Sequence, residues 1–141
     1  MTEVYELYRA GERHLAEGDV RQAVEELEAA ARLEPEATDI VRLLARAYFK
    51  RAALGRAETA ARAVLETSPT DAETTHLLGR CLLRQGRRAD ATGWLRLAAA
   101  MNPRPEYLSY AAAEETVAAT VTDHNGQFEF AIEELPVAEQ D

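Results

Sequence analysis

The chain has 141 residues, enough for one domain and too few for most two-domain enzymes. Its hydrophobic fraction of 47% excludes wholesale disorder, and with aromatics at only 6% the core must be built from Ala, Leu and Val, a mix that suits close-packed helices better than sheets. A single cysteine excludes an internal disulfide and a cysteine-built zinc site. No run approaches the roughly 20 apolar residues that span a bilayer. The opening MTEVYELYRAGERH lacks the basic-then-apolar pattern of a secretory signal, so a cytoplasmic location is expected.

The net charge of −9 is unevenly spread. Residues 1–104 carry 16 Lys+Arg and 16 Asp+Glu, whereas residues 105–141 carry nine acids and no Lys or Arg. An acidic end of this kind repels nucleic acid and anionic lipid, so neither partner is expected.

In chain order, helices are predicted over about residues 3–17, 20–33, 38–51, 54–67, 71–85 and 88–101. They pair by a repeat. Pro35, Pro69 and Pro103 are spaced by 34 residues, and the same shift aligns Gly11, Ala45 and Gly79. It also aligns His14, Tyr48 and Leu82; Gly18, Ala52 and Gly86; Ala23, Ala57 and Ala91; Leu27, Ala61 and Leu95; and Ala30, Val64 and Ala98. A fixed period of this length means stacked helix–turn–helix units. Small residues inside the pair let two helices approach closely, and proline closes each unit because it cannot continue a helix. Asp19 is a plausible cap for the second helix, and Thr70 or Asp71 for the fifth.

This pattern resembles the tetratricopeptide repeat family, with its small residue at repeat position 8, Ala at 20, large apolar residue at 24, Ala at 27 and Pro at 32. Counting from Val4, Thr38 and Ala72, the chain follows it, apart from Ala61 at position 24, Val64 at position 27, and Leu7, Val41 and Thr75 at position 4, often Trp. The likeness is to small stand-alone bacterial members. It implies an all-α, right-handed α–α superhelix of three repeats (4–37, 38–71 and 72–105) plus a capping helix at about 105–121. Together these would form a domain over residues 1–121, with 122–141 an acidic, flexible tail. Pro105 suits a first helical turn, and the Ala-rich PEYLSYAAAEETVAATV is helix-prone. Alternation around Asn125-Gly126 leaves a hairpin as the competing reading of the tail's start.

The resemblance also implies that the first helices line a concave groove. Repeat position 5 holds Tyr8, Arg42, His76 and Tyr110; position 9 holds Glu12, Arg46, Arg80 and Glu114; position 13 holds Ala16, Lys50, Arg84 and Ala118. Phe49 stands at position 12 of the middle repeat. Two central helices thus carry Arg42, Arg46 and Lys50, and His76, Arg80 and Arg84, at i, i+4 and i+8, stacked along one face, and the outer helices carry Tyr, Glu and Ala. The candidate peptide-binding residues are Tyr8, Glu12, Arg42, Arg46, Phe49, Lys50, His76, Arg80, Arg84 and Tyr110. The expected partner is another protein, held through an acidic or C-terminal peptide segment. A salt-bridge ladder, with Glu12 on Arg46 and Glu114 on Arg80, is the alternative account of the same charges. Family members that clamp the C-terminal carboxylate of large chaperones carry Lys, Asn and Arg where this chain has Tyr8, Glu12, Leu43, Glu73 and Leu77, so that clamp is not expected.

Other uses of the fold stay open: a structural subunit working through its convex face or ends, or a groove for single-stranded nucleic acid. Self-association is a further possibility, and so is a contact between the acidic tail and the groove. Catalysis is not expected, and no cofactor or metal is implied. His14 reads as a satisfied core imidazole, Cys81 as a small packed residue and Trp94 as inter-helix packing, and no phosphate loop or nucleophile motif is present.

Overall fold

The computed structural model describes residues 2–121, with side chains described for residues 3–113; the tail readings fall outside the described residues. Seven helices follow in order among them: α1 (Thr2–Ala16), α2 (Val20–Leu33), α3 (Thr38–Lys50), α4 (Leu54–Thr67), α5 (Ala72–Arg84), α6 (Arg88–Met101) and α7 (Pro105–Val121). Each packs on its neighbours in the chain, and the first helices α1, α3 and α5 also touch in series. The result is an all-α helical-repeat solenoid.

The turn inside each pair is the same device three times. After α1, the Gly18 N–H donates to Leu15 and the Asp19 N–H to His14; Ala52 and Ala53, then Gly86 and Arg87, repeat this pattern after α3 and α5. These crossed bonds satisfy the last carbonyls of each first helix, and they require a left-handed residue in the middle. Gly18 (φ 88°) and Gly86 (φ 79°) supply it freely, but in the middle repeat Ala52 is forced to φ 67°. A side chain in that region costs about 1–2 kcal/mol. Ala52→Gly is therefore expected to stabilise the protein by about 1 kcal/mol, less the extra entropy of glycine in the unfolded chain. Thermal denaturation would show it as a rise of a few degrees, and an unchanged or lowered midpoint would contradict the argument.

Capping follows the sequence where an acid is available. The Asp19 carboxylate accepts from the Gln22 N–H, and the Asp71 carboxylate from the Thr74 N–H. Pro35, Pro69 and Pro103 each stand one residue past a C-cap (Glu34, Ser68 and Asn102), where a helix has already ended.

The seam within each pair is set by volume. Gly11 lies against Leu27 and Gly79 against Leu95, so closely that a Cβ on either glycine would sit 2.6 Å from a leucine carbon. The middle repeat instead has Ala45 and Ala61, both fully buried in one cluster. The departure from the pattern at Ala61 is thus matched by the change from Gly to Ala at position 45. Most of the remaining core is Leu, Ala and Val, with Phe49 and Tyr107 the buried aromatics among the described residues.

Candidate functional site

The cationic faces of α3 and α5 meet the start of α7 around a cleft of about 490 Å³. Five cations line it (Arg46, Lys50, Arg80, Arg84 and Arg104), against two carboxylates, Glu73 and Glu106. With His76 neutral, the surplus is three positive charges.

These cations are not equivalent. Arg46 and Arg80 have loose partners, Glu73 at 3.9 Å and Glu106 at 3.8 Å, beyond hydrogen-bond distance. Lys50 and Arg84 are exposed and have no ion-pair partner among the described residues. Two guanidiniums are steered by rings instead. Arg80 lies 4.8 Å from the Phe49 centroid and 5.2 Å from that of Tyr110, while Arg84 lies 5.1 Å from that of Phe49. Stacking of this kind holds a guanidinium's position without neutralising it, leaving its N–H fork for another acceptor.

Arg42 behaves differently. Its Nε donates to Asp71 at 2.7 Å and its Nη1 to Asp39 at 2.7 Å, so it is committed to the junction between α3 and α5 and does not line the cleft. Tyr8 is half-buried against the first core cluster, and Glu12 pairs with Arg9 at 3.6 Å. The structure therefore brings together six of the predicted residues as cleft lining (Arg46, Phe49, Lys50, His76, Arg80 and Arg84), with Tyr110 supporting Arg80. It sets Tyr8, Glu12 and Arg42 apart. The ladder reading fails for Glu12, which pairs on its own helix; the Glu114 side chain lies outside the described residues. Glu73, Leu77, Arg104, Glu106 and Tyr107 complete the cleft and were not among the ten candidate residues. Pro105 directly after Arg104 was the available signal, because a helix start there turns its first side chains onto α5.

His76 is buried, stacked on Tyr107 at 4.3 Å and edge-on to Tyr110 at 5.0 Å. Neither ring nitrogen has a hydrogen-bond partner among the described residues, and Glu106 stays 3.9 Å away. Burial brings its pKa down to about 4, with Glu106 opposing only in part. An exposed groove histidine would switch near its ordinary value of about 6.5; His76 is instead a neutral wall at pH 7. The unfolded chain then takes up a proton that the fold refuses. This contribution to stability is complete above pH 6.5 and is lost as pH falls from 6.5 towards 4. Between pH 7 and 4.5 the native protein is expected to lose roughly 2 kcal/mol more than a His76→Phe variant, read by urea unfolding. Equal losses would contradict this. His14, whose Nδ1 meets Glu26 at 2.8 Å and whose pKa is raised by that bond, titrates in both proteins and cancels. Cys81 is fully buried and its thiol is pushed up to about 11. Trp94 packs at the edge of the second core cluster, with the Arg62 guanidinium 5.8 Å from its ring.

The three repeats, their proline spacing and the shared turn now have an external match. Two tetratricopeptide repeat profiles cover residues 8–72 and 53–114. The chain belongs to the tetratricopeptide repeat family. No curated protein matches it. Among solved structures, the first tetratricopeptide domain of Spaghetti (RPAP3), bound to the HSP90 peptide SRMEEVD, is similar with a TM-score of 0.77 and 13% identity, over 84% of this chain and 94% of that one. MamA MSR-1 C2 gives 0.75 at 20% identity, over 92% and 75%. The Yersinia enterocolitica type III secretion chaperone SycD, in complex with a peptide of the translocator YopD, gives 0.70 at 15% identity, over 86% and 94%. At these identities the likeness is one of fold. No helix among the described residues is long and apolar enough to cross a membrane.

Proposed function

We propose that this tetratricopeptide chain is a protein-interaction module that captures an acidic peptide segment of a partner protein in the cleft between α3, α5 and α7. The observation that carries this reading is the surplus of cations around Phe49, above all Lys50 and Arg84, which have no counter-ion among the described residues. Guanidinium forks grip carboxylates in two-point fashion, and Phe49 and Leu77 give the peptide apolar contact beside them. The peptides held by the RPAP3 domain and by SycD support a peptide as the kind of ligand this fold takes.

The ligand's sequence does not carry over. Where chaperone-binding relatives have clamp residues, this chain has Leu43 buried in the first core cluster and Leu77 packed against the second. Its positive charge lies about a turn further along α3 and α5. The reading is of an adaptor, not a catalyst: the buried Cys81 thiol and the shielded, neutral His76 are both poor reactive groups at pH 7.

Selection from a random peptide library displayed on phage, against the immobilised full chain, tests the proposal. Enrichment of Asp and Glu flanked by apolar residues is expected, with those sequences lost on a Lys50→Glu/Arg84→Glu variant of equal helicity. Selected peptides without acids, or equally retained by the variant, would contradict it.

A further inference from the structure

Residues 122–141 carry six acids and no Lys or Arg, interleaved with Phe128, Phe130, Ile132 and Leu135. They follow directly on α7, whose first turn walls the cleft through Glu106 and Tyr107. The cleft has three positive charges in excess and an aromatic floor at Phe49. We propose that this segment is the cleft's own competitive occupant in cis: it lies in the groove of the chain that bears it and must be displaced by a partner peptide. The proposal rests on the peptide-binding reading above and adds its regulation.

Reach permits it. From Tyr110 to Val121 a helix rises about 16 Å, and 20 extended residues span up to ~65 Å. Charge favours it, because the segment carries six of the nine acids behind the chain's net charge of −9, and the cleft gathers a basic surplus within residues 1–104, whose charges sum to zero. Tethering supplies the rest. A covalent tether of this length holds the segment at an effective concentration of about a millimolar, so even a contact with a dissociation constant of tens of micromolar would be closed most of the time. Two loose pairs inside the cleft, Arg46–Glu73 and Arg80–Glu106, are long enough to be exchanged for incoming carboxylates at little cost.

The test uses the full chain throughout, with a fluorescein-labelled synthetic peptide of residues 123–141 as probe and polarisation at low salt as readout. Three proteins are compared: the native chain; a tail variant (Phe128→Ser, Glu129→Gln, Phe130→Ser, Glu133→Gln, Glu134→Gln); and the same variant with Lys50→Glu and Arg84→Glu. The tail variant is expected to bind the probe at least tenfold more tightly than the native chain, and the added cleft reversal is expected to remove that gain. Equal affinity in the first two proteins overturns the competition while leaving the cleft a binder of acidic chains. Binding to none of the three overturns it as well, and the phage selection then decides separately whether the cleft binds other acidic peptides. Light scattering should show a single chain's mass at every concentration; masking of the probe site that grows with concentration, together with a two-chain mass, would overturn the assignment in cis.

Discussion

Gly79→Ala is expected to cost about 1–3 kcal/mol, although alanine is by itself the better helix former by about 1 kcal/mol. The new methyl would stand 2.6 Å from Leu95 Cδ2 and 3.2 Å from the Leu95 backbone nitrogen, so α5 and α6 must separate or Leu95 must leave its place. Leu95→Ala alone is expected to cost about 2–5 kcal/mol, because Leu95 is fully buried and leaves a void. The two together should cost clearly less than their sum. The double variant recreates in the third repeat the Ala45/Ala61 seam that the second repeat already uses. Urea unfolding of the four proteins reads the coupling directly. Additive losses would show that the seam volumes are independent and that the match at Ala61 has another origin.

Asp71→Ala is expected to cost about 2–4 kcal/mol. Asp71 is nearly buried, and its carboxylate accepts from the Thr74 N–H at 3.1 Å, the Thr74 hydroxyl at 2.8 Å and Arg42 Nε at 2.7 Å. Losing the cap costs about 1 kcal/mol, and Arg42 is left part-buried with only the exposed Asp39 to meet it. Asp71→Asn keeps an acceptor for the cap and should lose less. Burial alone would raise the Asp71 pKa, but the donors from Arg42 and Thr74 outweigh it and hold the carboxyl below its ordinary value. Its contribution is therefore present above that ordinary value, near 3.8, and is lost as pH falls through the lower folded value. A variant as stable as the native chain would show that the α3–α5 junction does not depend on this acid.

Helix boundaries were legible almost to the residue, because proline, the small residues of the seam and the turn glycines recur at one spacing. The cleft was legible only in part, and Arg42 shows why. Sequence shows Arg42, Arg46 and Lys50 as one row, and nothing local reveals that a carboxylate 29 residues away reaches the first of them. One repeat later the equivalent of Asp71 is Pro105, which has no carboxylate to offer His76 or Arg80. Glu106 comes near both but bonds neither closely. The capping acid thus quenches the basic row at one end and leaves it open at the other. Tyr8 and Tyr110 share a repeat position yet differ for a like reason. Tyr8 packs on the first core cluster, whereas Tyr110 has both His76 and Arg80 against its ring. The burial of His76 also escaped the sequence, since it depends on Tyr107 lying flat against it from the next unit.

The most direct measurement is a charge swap across the cleft. An acidic peptide from the selection, and the same peptide with each Glu changed to Lys, are titrated into the native chain and into Lys50→Glu/Arg84→Glu, with helicity confirmed equal. Both substituted side chains are exposed and free of internal ion pairs among the described residues, so the swap changes the cleft's charge with little effect on the fold. The account predicts that the acidic peptide weakens at least tenfold on the variant, about 1.4 kcal/mol or more, and that the Lys peptide gains affinity there. Unchanged binding of the acidic peptide by the variant would contradict it and move the binding surface away from this cleft.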